Sequence, residues 1–260
     1  MKGKPLFRHL DLFSGIGGFA YAVDQVWENA EHIFCDNDKF CQRVLKKHWP
    51  NSKIYGDIKE FKPRGITVDL LTGGFPCQDI SNARTWTTQD QFIEQGIKGK
   101  RSGLWSEMCR IISQTHPKFV VAENVEALCN KGLQIVLQDL YEVGYDAEWD
   151  IISAAYVGAP HQRKRLWIVA YPICLGRKQK SIVFGEIFSK KIRQTSWRES
   201  GGTICQETGK KIIPPPLGVD DGLPAGLDKR ERIKSLGNSI VPQVAIEILK
   251  AIKSQNSFNS

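Results

Sequence analysis

The chain has 260 residues, of which 41% are hydrophobic, so it can build a substantial core without disulfide or metal crosslinks. Its seven cysteines are odd in number and no two have Cys-x-x-Cys spacing, which predicts a reduced, cytoplasmic protein without a metal site. A net charge of +8 favours a polyanionic partner. The polar amino-terminus and the lack of a long apolar run argue against a signal peptide and a membrane partner.

Short apolar runs alternate with segments of helical periodicity through the first part of the chain. This alternation predicts an α/β fold, a doubly wound, mostly parallel sheet with helices on both faces. A further short strand is expected to end near Tyr55. The other predicted strands are 6–13, 32–35, 68–72, 119–122 and 166–170, and the predicted helices are 19–27, 39–49, 104–114, 133–143 and 241–252.

Changes in composition divide the sequence into three predicted parts. Residues 1–171 form the α/β domain, whereas 172–217 are rich in Lys, Arg, Gly and Pro and predict a small, basic, loop-rich module. The last part, 218–260, contains a helix whose apolar face must pack on another element. We expect this helix to return to the first domain.

A glycine-rich turn, Asp11 to Phe19, follows the first strand and opens a helix. Missing side chains let a ligand contact the backbone at this edge of the sheet, so the turn predicts a nucleotide-type pocket. Asp36 and Asp57 follow the next two strands, where adenosine hydroxyl or amino groups would lie. The turn by itself also fits a nicotinamide dehydrogenase or an ordinary tight turn, and either Asp also fits a capping role.

A second loop, Gly73 to Gln78, leaves the strand 68–72 at the edge of the sheet where ligands bind. Its glycines and proline favour an exposed position for Cys77, unlike the buried position of most cysteines. Glu123 and Asn124 end the adjoining strand, so a carboxyl group and an amide reach the same pocket. Arg163 and Arg165 alternate before a later strand, a pattern that alone is typical of a solvated edge.

Five motifs follow one another along the chain: Asp11-Leu12-Phe13-Ser14-Gly15-Ile16-Gly17-Gly18, Gly74-Phe75-Pro76-Cys77-Gln78, Glu123-Asn124-Val125, Arg163-Lys164-Arg165 and Gly237-Asn238-Ser239-Ile240-Val241-Pro242. In this order they resemble the motifs of the cytosine-5 DNA methyltransferase family, and the loop around Cys77 with Glu123-Asn124-Val125 is the most specific part. The resemblance covers nearly the whole chain except about 172–217, and it implies the Rossmann-like fold of S-adenosylmethionine-dependent methyltransferases.

The resemblance implies a covalent mechanism on a cytosine that has been flipped out of the duplex. The Cys77 thiolate adds to C6, Glu123 donates a proton to N3, and C5 then takes the methyl group. Arg163 and Arg165 are expected to favour the thiolate and to orient the base. Flipping is required because the target atoms cannot be reached inside a stacked duplex.

The resemblance also implies how the cofactor and the DNA are held. The loop from Ser81 to Ser102 and the segment 172–217 are expected to contact double-stranded DNA, with the latter reading the bases. The residues expected at S-adenosyl-L-methionine are Phe13, Gly15, Ile16, Gly17, Gly18, Asp36, Asn37, Asp57, Ile58, Pro76, Asn238 and Ser239. The residues expected at DNA are Gln78, Ser81, Arg84, Lys100 and Arg101.

Two departures from the family pattern and two alternatives stand beside this interpretation. His161 stands where the family commonly has Gln. Asn37 stands where a larger side chain commonly stacks on adenine, so we expect weaker stacking on the cofactor's adenine.

Two alternative functions remain open: a transfer RNA cytosine-5 methyltransferase and a non-catalytic DNA-binding protein of the same fold. We expect a monomer of bacterial or phage origin that acts in restriction-modification and associates with the nucleoid through DNA.

Overall fold

The computed structural model describes residues 6–76, 103–130, 132–159, 161–173, 183–189 and 237–256. These residues form one sheet with helices on both faces. The strands are β1 (Phe7–Leu12), β2 (Ala30–Cys35), β3 (Lys53–Tyr55), β4 (Leu70–Gly74), β5 (Phe119–Val125), β6 (Tyr145–Ile152) and β7 (Arg165–Pro172). The helices are α1 (Gly18–Asp24), α2 (Lys39–His48), α3 (Leu104–Thr115), α4 (Leu133–Glu142), α5 (Val183–Ser189) and α6 (Pro242–Asn256), with short 3₁₀ helices at Glu126–Asn130 and Ala154–Val157.

The sheet has seven strands in the order β3-β2-β1-β4-β5-β7-β6. The first five are parallel to one another, and β7 is antiparallel to both of its neighbours, β5 and β6. This arrangement confirms the predicted α/β class with a doubly wound, mostly parallel sheet. Because parallel strands end at one edge, the loops after β1, β2, β4 and β5 meet there.

Strand β6 was missed by the sequence analysis. It lies at the edge of the sheet, where Trp149 and Ile151 remain exposed and three acidic residues interrupt the apolar pattern. A strand that is buried on only part of its surface does not produce the continuous apolar run that identified the central strands.

Each face of the sheet carries its own hydrophobic core. On one face α3 and α4 pack against β1, β4, β5 and β7, with Met108, Ile111 and Val136 fully buried. On the other face α1, α5 and α6 pack together, and Val23, Ile248 and other apolar side chains of these helices are buried. The apolar side of α6 is thus packed on the sheet and α1.

Helix α5 belongs to the segment 172–217 that the sequence assigns to recognition, yet it packs into the core. Val183, Phe184 and Ile187 are buried among α6 and the sheet. The Glu148 carboxylate on β6 accepts hydrogen bonds from the backbone N–H groups of Val183 (3.2 Å) and Phe184 (3.4 Å) at the start of the helix. Most of the rest of the segment lies outside the described residues, and the domain boundaries stay a prediction.

Within the described ranges, no helix is long and apolar enough to cross a membrane. The same part of the chain contains no group of three or more His, Cys, Asp or Glu side chains that could hold a metal ion.

Candidate functional site

A cavity of about 320 Å³ opens at the carboxyl ends of β1, β2 and β4, the edge at which ligands bind in this class of fold. Its size falls within the range of roughly 300–1,000 Å³ that is typical of small-molecule sites. The lining combines apolar side chains, three carboxylates and exposed glycine backbone. The lining residues are Phe13, Gly15, Cys35, Asp36, Asn37, Asp38, Cys41, Gly56, Asp57, Ile58, Gly74, Pro76, Leu104, Asn238 and Ser239.

The cavity brings together residues that are far apart in the sequence and that were predicted to bind one cofactor. Every predicted cofactor residue lines it except Ile16, Gly17 and Gly18. Gly15 has a left-handed backbone (φ 54°) and open space where a side chain would start, so it presents bare backbone to the cavity.

Gly17 and Gly18 are instead in close contact with other parts of the protein. A side chain at Gly17, which also has a left-handed backbone (φ 87°), would overlap the ring of Trp49. A Cβ atom at Gly18 would lie 2.8 Å from Cγ1 of Ile240. Packing alone therefore explains why these positions need glycine, and their role in cofactor binding stays a prediction.

We expect Gly17→Ala to destabilise the protein much more than Gly15→Ala. The left-handed backbone costs a non-glycine residue about 1–2 kcal/mol at either position, and overlap with Trp49 adds roughly 1–3 kcal/mol at position 17 alone. Urea unfolding without ligand measures both variants against the parent protein. Equal losses of unfolding free energy in the two variants would contradict the contact with Trp49. Gly15→Ala should instead have its larger effect on ligand binding, because it places a methyl group in the cavity.

Asp36 joins the glycine turn to the end of β2. Its Oδ2 accepts a hydrogen bond from the Gly15 N–H at 2.7 Å, and its Oδ1 accepts one from the Asp38 N–H at 2.8 Å. Burial raises the pKa of Asp36, and these two N–H groups oppose the shift. Asp57 accepts from the Lys59 N–H at 2.9 Å. Both aspartates therefore shape the cavity wall and also face the cavity.

Glu123 is a buried acid at the end of β5, next to Gly74 of the cavity wall. It pairs in register with Gly74, and a Cβ atom at Gly74 would lie 3.4 Å from the Glu123 carboxylate. Arg165 Nε lies 3.0 Å from Glu123 Oε1. Burial raises the pKa of Glu123 to about 7, although the positive charges of Arg165 and Arg163 pull it down. Glu123 can therefore be protonated or ionised near neutral pH.

Asn124 fixes the loop that leads to the predicted nucleophile. Its Nδ2 donates a hydrogen bond to the carbonyl oxygen of Phe75 at 2.9 Å, so the ends of β4 and β5 are tied together. Pro76, the next residue, lines the cavity. Cys77 follows directly but lies outside the described residues, as do Gln78, Ser81, Arg84, Lys100 and Arg101.

The two predicted arginines have different partners. Arg165 pairs with Glu123, whereas Arg163 Nη2 donates to the carbonyl oxygens of Gly237 and Ser239, both at 2.7 Å. Burial and the neighbouring Arg165 lower the pKa of Arg163, and the negative charge of Glu123 raises it. The sequence pattern gave no indication of this division of partners.

A buried polar chain beneath the glycine turn was also missed. Thr72 Oγ1 donates to Asp11 Oδ1 at 2.6 Å and contacts His9 Nε2 at 2.7 Å. The chain continues from His9 to His32 at 2.8 Å and from His32 to Asp24 at 2.8 Å. Burial raises the pKa of Asp11 to about 8, so this fully buried carboxyl is mostly neutral at pH 7. Polar residues at alternate positions 9 and 11 of a buried strand were the signal available in the sequence.

Other cavity residues that the sequence did not identify are Cys35, Asp38, Cys41, Gly56, Gly74 and Leu104. Asp38 caps α2 by accepting from the Phe40 N–H at 2.8 Å, and Cys35 donates to the Gly56 carbonyl oxygen at 3.4 Å. Burial raises the pKa of the Cys35 thiol to about 12, so this sulfur is not a nucleophile at neutral pH. Nothing in a single sequence distinguishes such wall residues from ordinary core residues.

The fold and the cavity define an α/β protein with a ligand-sized site at its strand ends, and the sequence comparison is more specific. Residues 7–202 match the family described as C-5 cytosine-specific DNA methylase, so the chain belongs to that family. Members of this family are S-adenosylmethionine-dependent methyltransferases. The family assignment predicted from the five motifs is confirmed.

The relatives include named bacterial enzymes. The chain is 30% identical over 181 residues to the type II methyltransferase M.Sau3AI of Staphylococcus aureus, covering 62% of this chain and 42% of the relative. It is 30% identical over 214 residues to the type II methyltransferase M.DsaV of Dactylococcopsis salina, covering 80% and 56%. The chain therefore spans about half the length of the curated relatives it matches.

A solved structure supports the fold. The Entamoeba histolytica methyltransferase EhMeth superposes with a TM-score of 0.64 at 15% sequence identity, covering 97% of this chain and 99% of that one. At this identity the likeness shows that the two chains share an architecture.

Proposed function

We propose that this protein transfers a methyl group from S-adenosylmethionine to carbon 5 of cytosine in double-stranded DNA. The observation that carries the proposal is the Glu123 carboxyl, whose pKa is raised to about 7, at a strand end beside the cavity wall and paired with Arg165. A carboxyl group whose pKa lies near neutral pH is suited to protonate a ring nitrogen. Membership of the cytosine-5 methylase family supports this choice of base and atom.

The cavity fits the cofactor in its chemistry. Phe13 and Ile58 supply apolar surface, Asp36 and Asp57 supply carboxylates for hydroxyl or amino groups, and Gly15 leaves room beside its backbone. Asn238 and Ser239 form a further part of the wall. When bound there, S-adenosylmethionine supplies an activated methyl group.

Activation of cytosine is the task of the protein side chains. The thiolate of Cys77 adds to C6 while Glu123 transfers its proton to N3, which places the released electron density on C5. C5 then bonds to the methyl group and S-adenosylhomocysteine is the leaving group. A base removes the C5 proton, the bond between sulfur and C6 breaks to return the thiolate, and N3 gives its proton back to the Glu123 carboxylate. Covalent addition is needed because C5 of an aromatic ring is a poor nucleophile, and it divides one difficult step into easier ones.

Arg165 gives Glu123 the correct geometry for this transfer. The contact of 3.0 Å between Arg165 Nε and Glu123 Oε1 fixes one carboxyl oxygen, while Oε2 is the oxygen nearer to Gly74 and hence to the cavity wall. The positive charge also keeps the pKa of Glu123 from rising further through burial. With the resulting pKa of about 7, Glu123 can both give up its proton and regain it near neutral pH.

The proposal is tested by incubating the purified chain with S-adenosylmethionine labelled in its methyl group and either unmethylated duplex DNA of mixed sequence or transfer RNA. We expect label in DNA as 5-methylcytosine. Label in transfer RNA alone would show that RNA, and not DNA, is the substrate. Binding of NADH without binding of S-adenosylmethionine would indicate a dehydrogenase. Bisulfite sequencing of DNA from cells that express the chain would then identify the target sequence.

A further inference from the structure

The backbone on both sides of Arg163 is held by hydrogen bonds. The carbonyl oxygen of the preceding residue, Gln162, accepts hydrogen bonds from the Ala154 N–H and from the Ser153 hydroxyl, both at 2.7 Å. Two residues after Arg163 the chain enters β7, where Arg165 pairs with Val125 and Ile152. The backbone on both sides of Arg163 is therefore fixed to the sheet or to the 3₁₀ helix beside it.

From this position the guanidinium group reaches the segment Gly237–Ser239, where a helical turn ends and the loop before α6 begins, more than seventy residues later in the chain. Arg163 Nη2 donates to the carbonyl oxygens of Gly237 and Ser239, which lie on either side of Asn238. Asn238 and Ser239 line the cavity, and the loop continues into α6 at Pro242. A single charged group thus holds both ends of the short stretch that completes the cavity wall.

Among the described residues, this loop also contacts the core. Ser239 lies close to Gly18, and Ile240 packs with the core on the face that α1 and α6 share. The hydroxyl of Ser239 donates to the Ile240 carbonyl within the loop. Hydrogen bonds from a partly desolvated guanidinium are stronger than those between neutral groups, so Arg163 makes a large contribution to the conformation of the loop.

We propose that Arg163 is a positioning residue for the cofactor, acting through the segment Gly237–Ser239 rather than on the cytosine or on the nucleophile. The inference rests on the proposed function and assigns the two arginines of one motif to different substrates. Arg165 holds the proton donor for the base, and Arg163 holds the wall of the methyl-donor site. Their alternate positions at the start of β7 let one short segment serve both.

The test is the affinity for S-adenosylmethionine and for S-adenosylhomocysteine, measured by titration calorimetry without DNA in Arg163→Ala and Arg163→Lys. Loss of two charge-assisted hydrogen bonds should weaken binding by roughly 10-fold to 100-fold in Arg163→Ala. Arg163→Lys keeps the positive charge near Glu123 but has a shorter side chain, so its affinity should be intermediate. At saturating cofactor and DNA, Arg163→Lys should retain most of its kcat while its KM for the cofactor rises.

Arg64→Ala, in an exposed position of the loop between β3 and β4, is the matched control and should bind the cofactor like the parent protein. The inference is overturned if Arg163→Lys binds the cofactor with unchanged affinity and loses kcat, since this result would place Arg163 at the reacting atoms. Failure of the parent protein itself to bind S-adenosylmethionine would refute the proposed function instead. Should Arg163→Ala not fold, Arg163→Lys alone decides between these results.

Discussion

Replacing Glu123 by Gln should lower kcat for methyl transfer by about 10²-fold to 10⁴-fold, the range typical of losing a general acid. Glutamine has the same size and still offers an oxygen to Arg165, so the ends of β4 and β5 should remain in place. Its amide can donate a hydrogen bond but cannot transfer a proton to N3 of cytosine. The addition step would then have to leave negative charge on the ring. Steady-state methylation of a saturating DNA substrate measures the effect.

The pH dependence provides a second measurement on the same residue. Because burial raises the pKa of Glu123 to about 7, the proton is present below that pH and is lost as the pH rises through it. Values of kcat/KM for the parent protein should therefore carry a falling limb above about pH 7 that Glu123→Gln lacks. Glu126→Gln changes an exposed carboxyl in the adjoining 3₁₀ helix and should keep both the rate and the limb. Near-normal turnover by Glu123→Gln would remove the carboxyl from the mechanism.

Most residues predicted at the cofactor line one cavity because of how parallel sheets are built. Phe13, Asp36, Asp57 and Pro76 each follow a strand, and parallel strands end at one edge, so strand order alone brings such residues together. Asn238 joins them from the far end of the chain, and its position was predicted from the family resemblance. Periodicity does not supply a contact of that range.

The features that the sequence did not reveal depend on side-chain direction and packing. Gly15 faces the cavity whereas Gly17 faces the Trp49 ring, although both have a left-handed backbone in the same turn. The two arginines differ likewise, since only the folded chain brings the loop before α6 next to Arg163. Strand β6 was not predicted from the sequence because an edge strand carries both polar and exposed apolar residues. For the glycine and the arginine, the decisive neighbour is distant in the sequence.

Replacing Cys77 by Ser should abolish methyl transfer while leaving the affinity for S-adenosylmethionine nearly unchanged. A serine hydroxyl is far less acidic than a thiol and has no group beside it in the proposed mechanism to remove its proton, so addition to C6 should stop. Most of the residues predicted to hold the cofactor line the described cavity wall, so binding should persist. Cys129→Ser is the matched control, because Cys129 follows β5 in a 3₁₀ helix and does not line the cavity.

Covalent addition is tested directly with duplex DNA that carries 5-fluorocytosine at the target position. After methyl transfer, fluorine on C5 cannot leave as a proton would, so the bond between sulfur and C6 cannot break by elimination. The parent protein should then accumulate as a complex with DNA that survives denaturing electrophoresis, and formation of this complex should require the cofactor. Cys77→Ser should give none, whereas Glu123→Gln should form it slowly because its thiol remains. A parent protein that methylates normal DNA but yields no such complex would exclude the covalent route while leaving the activity itself intact.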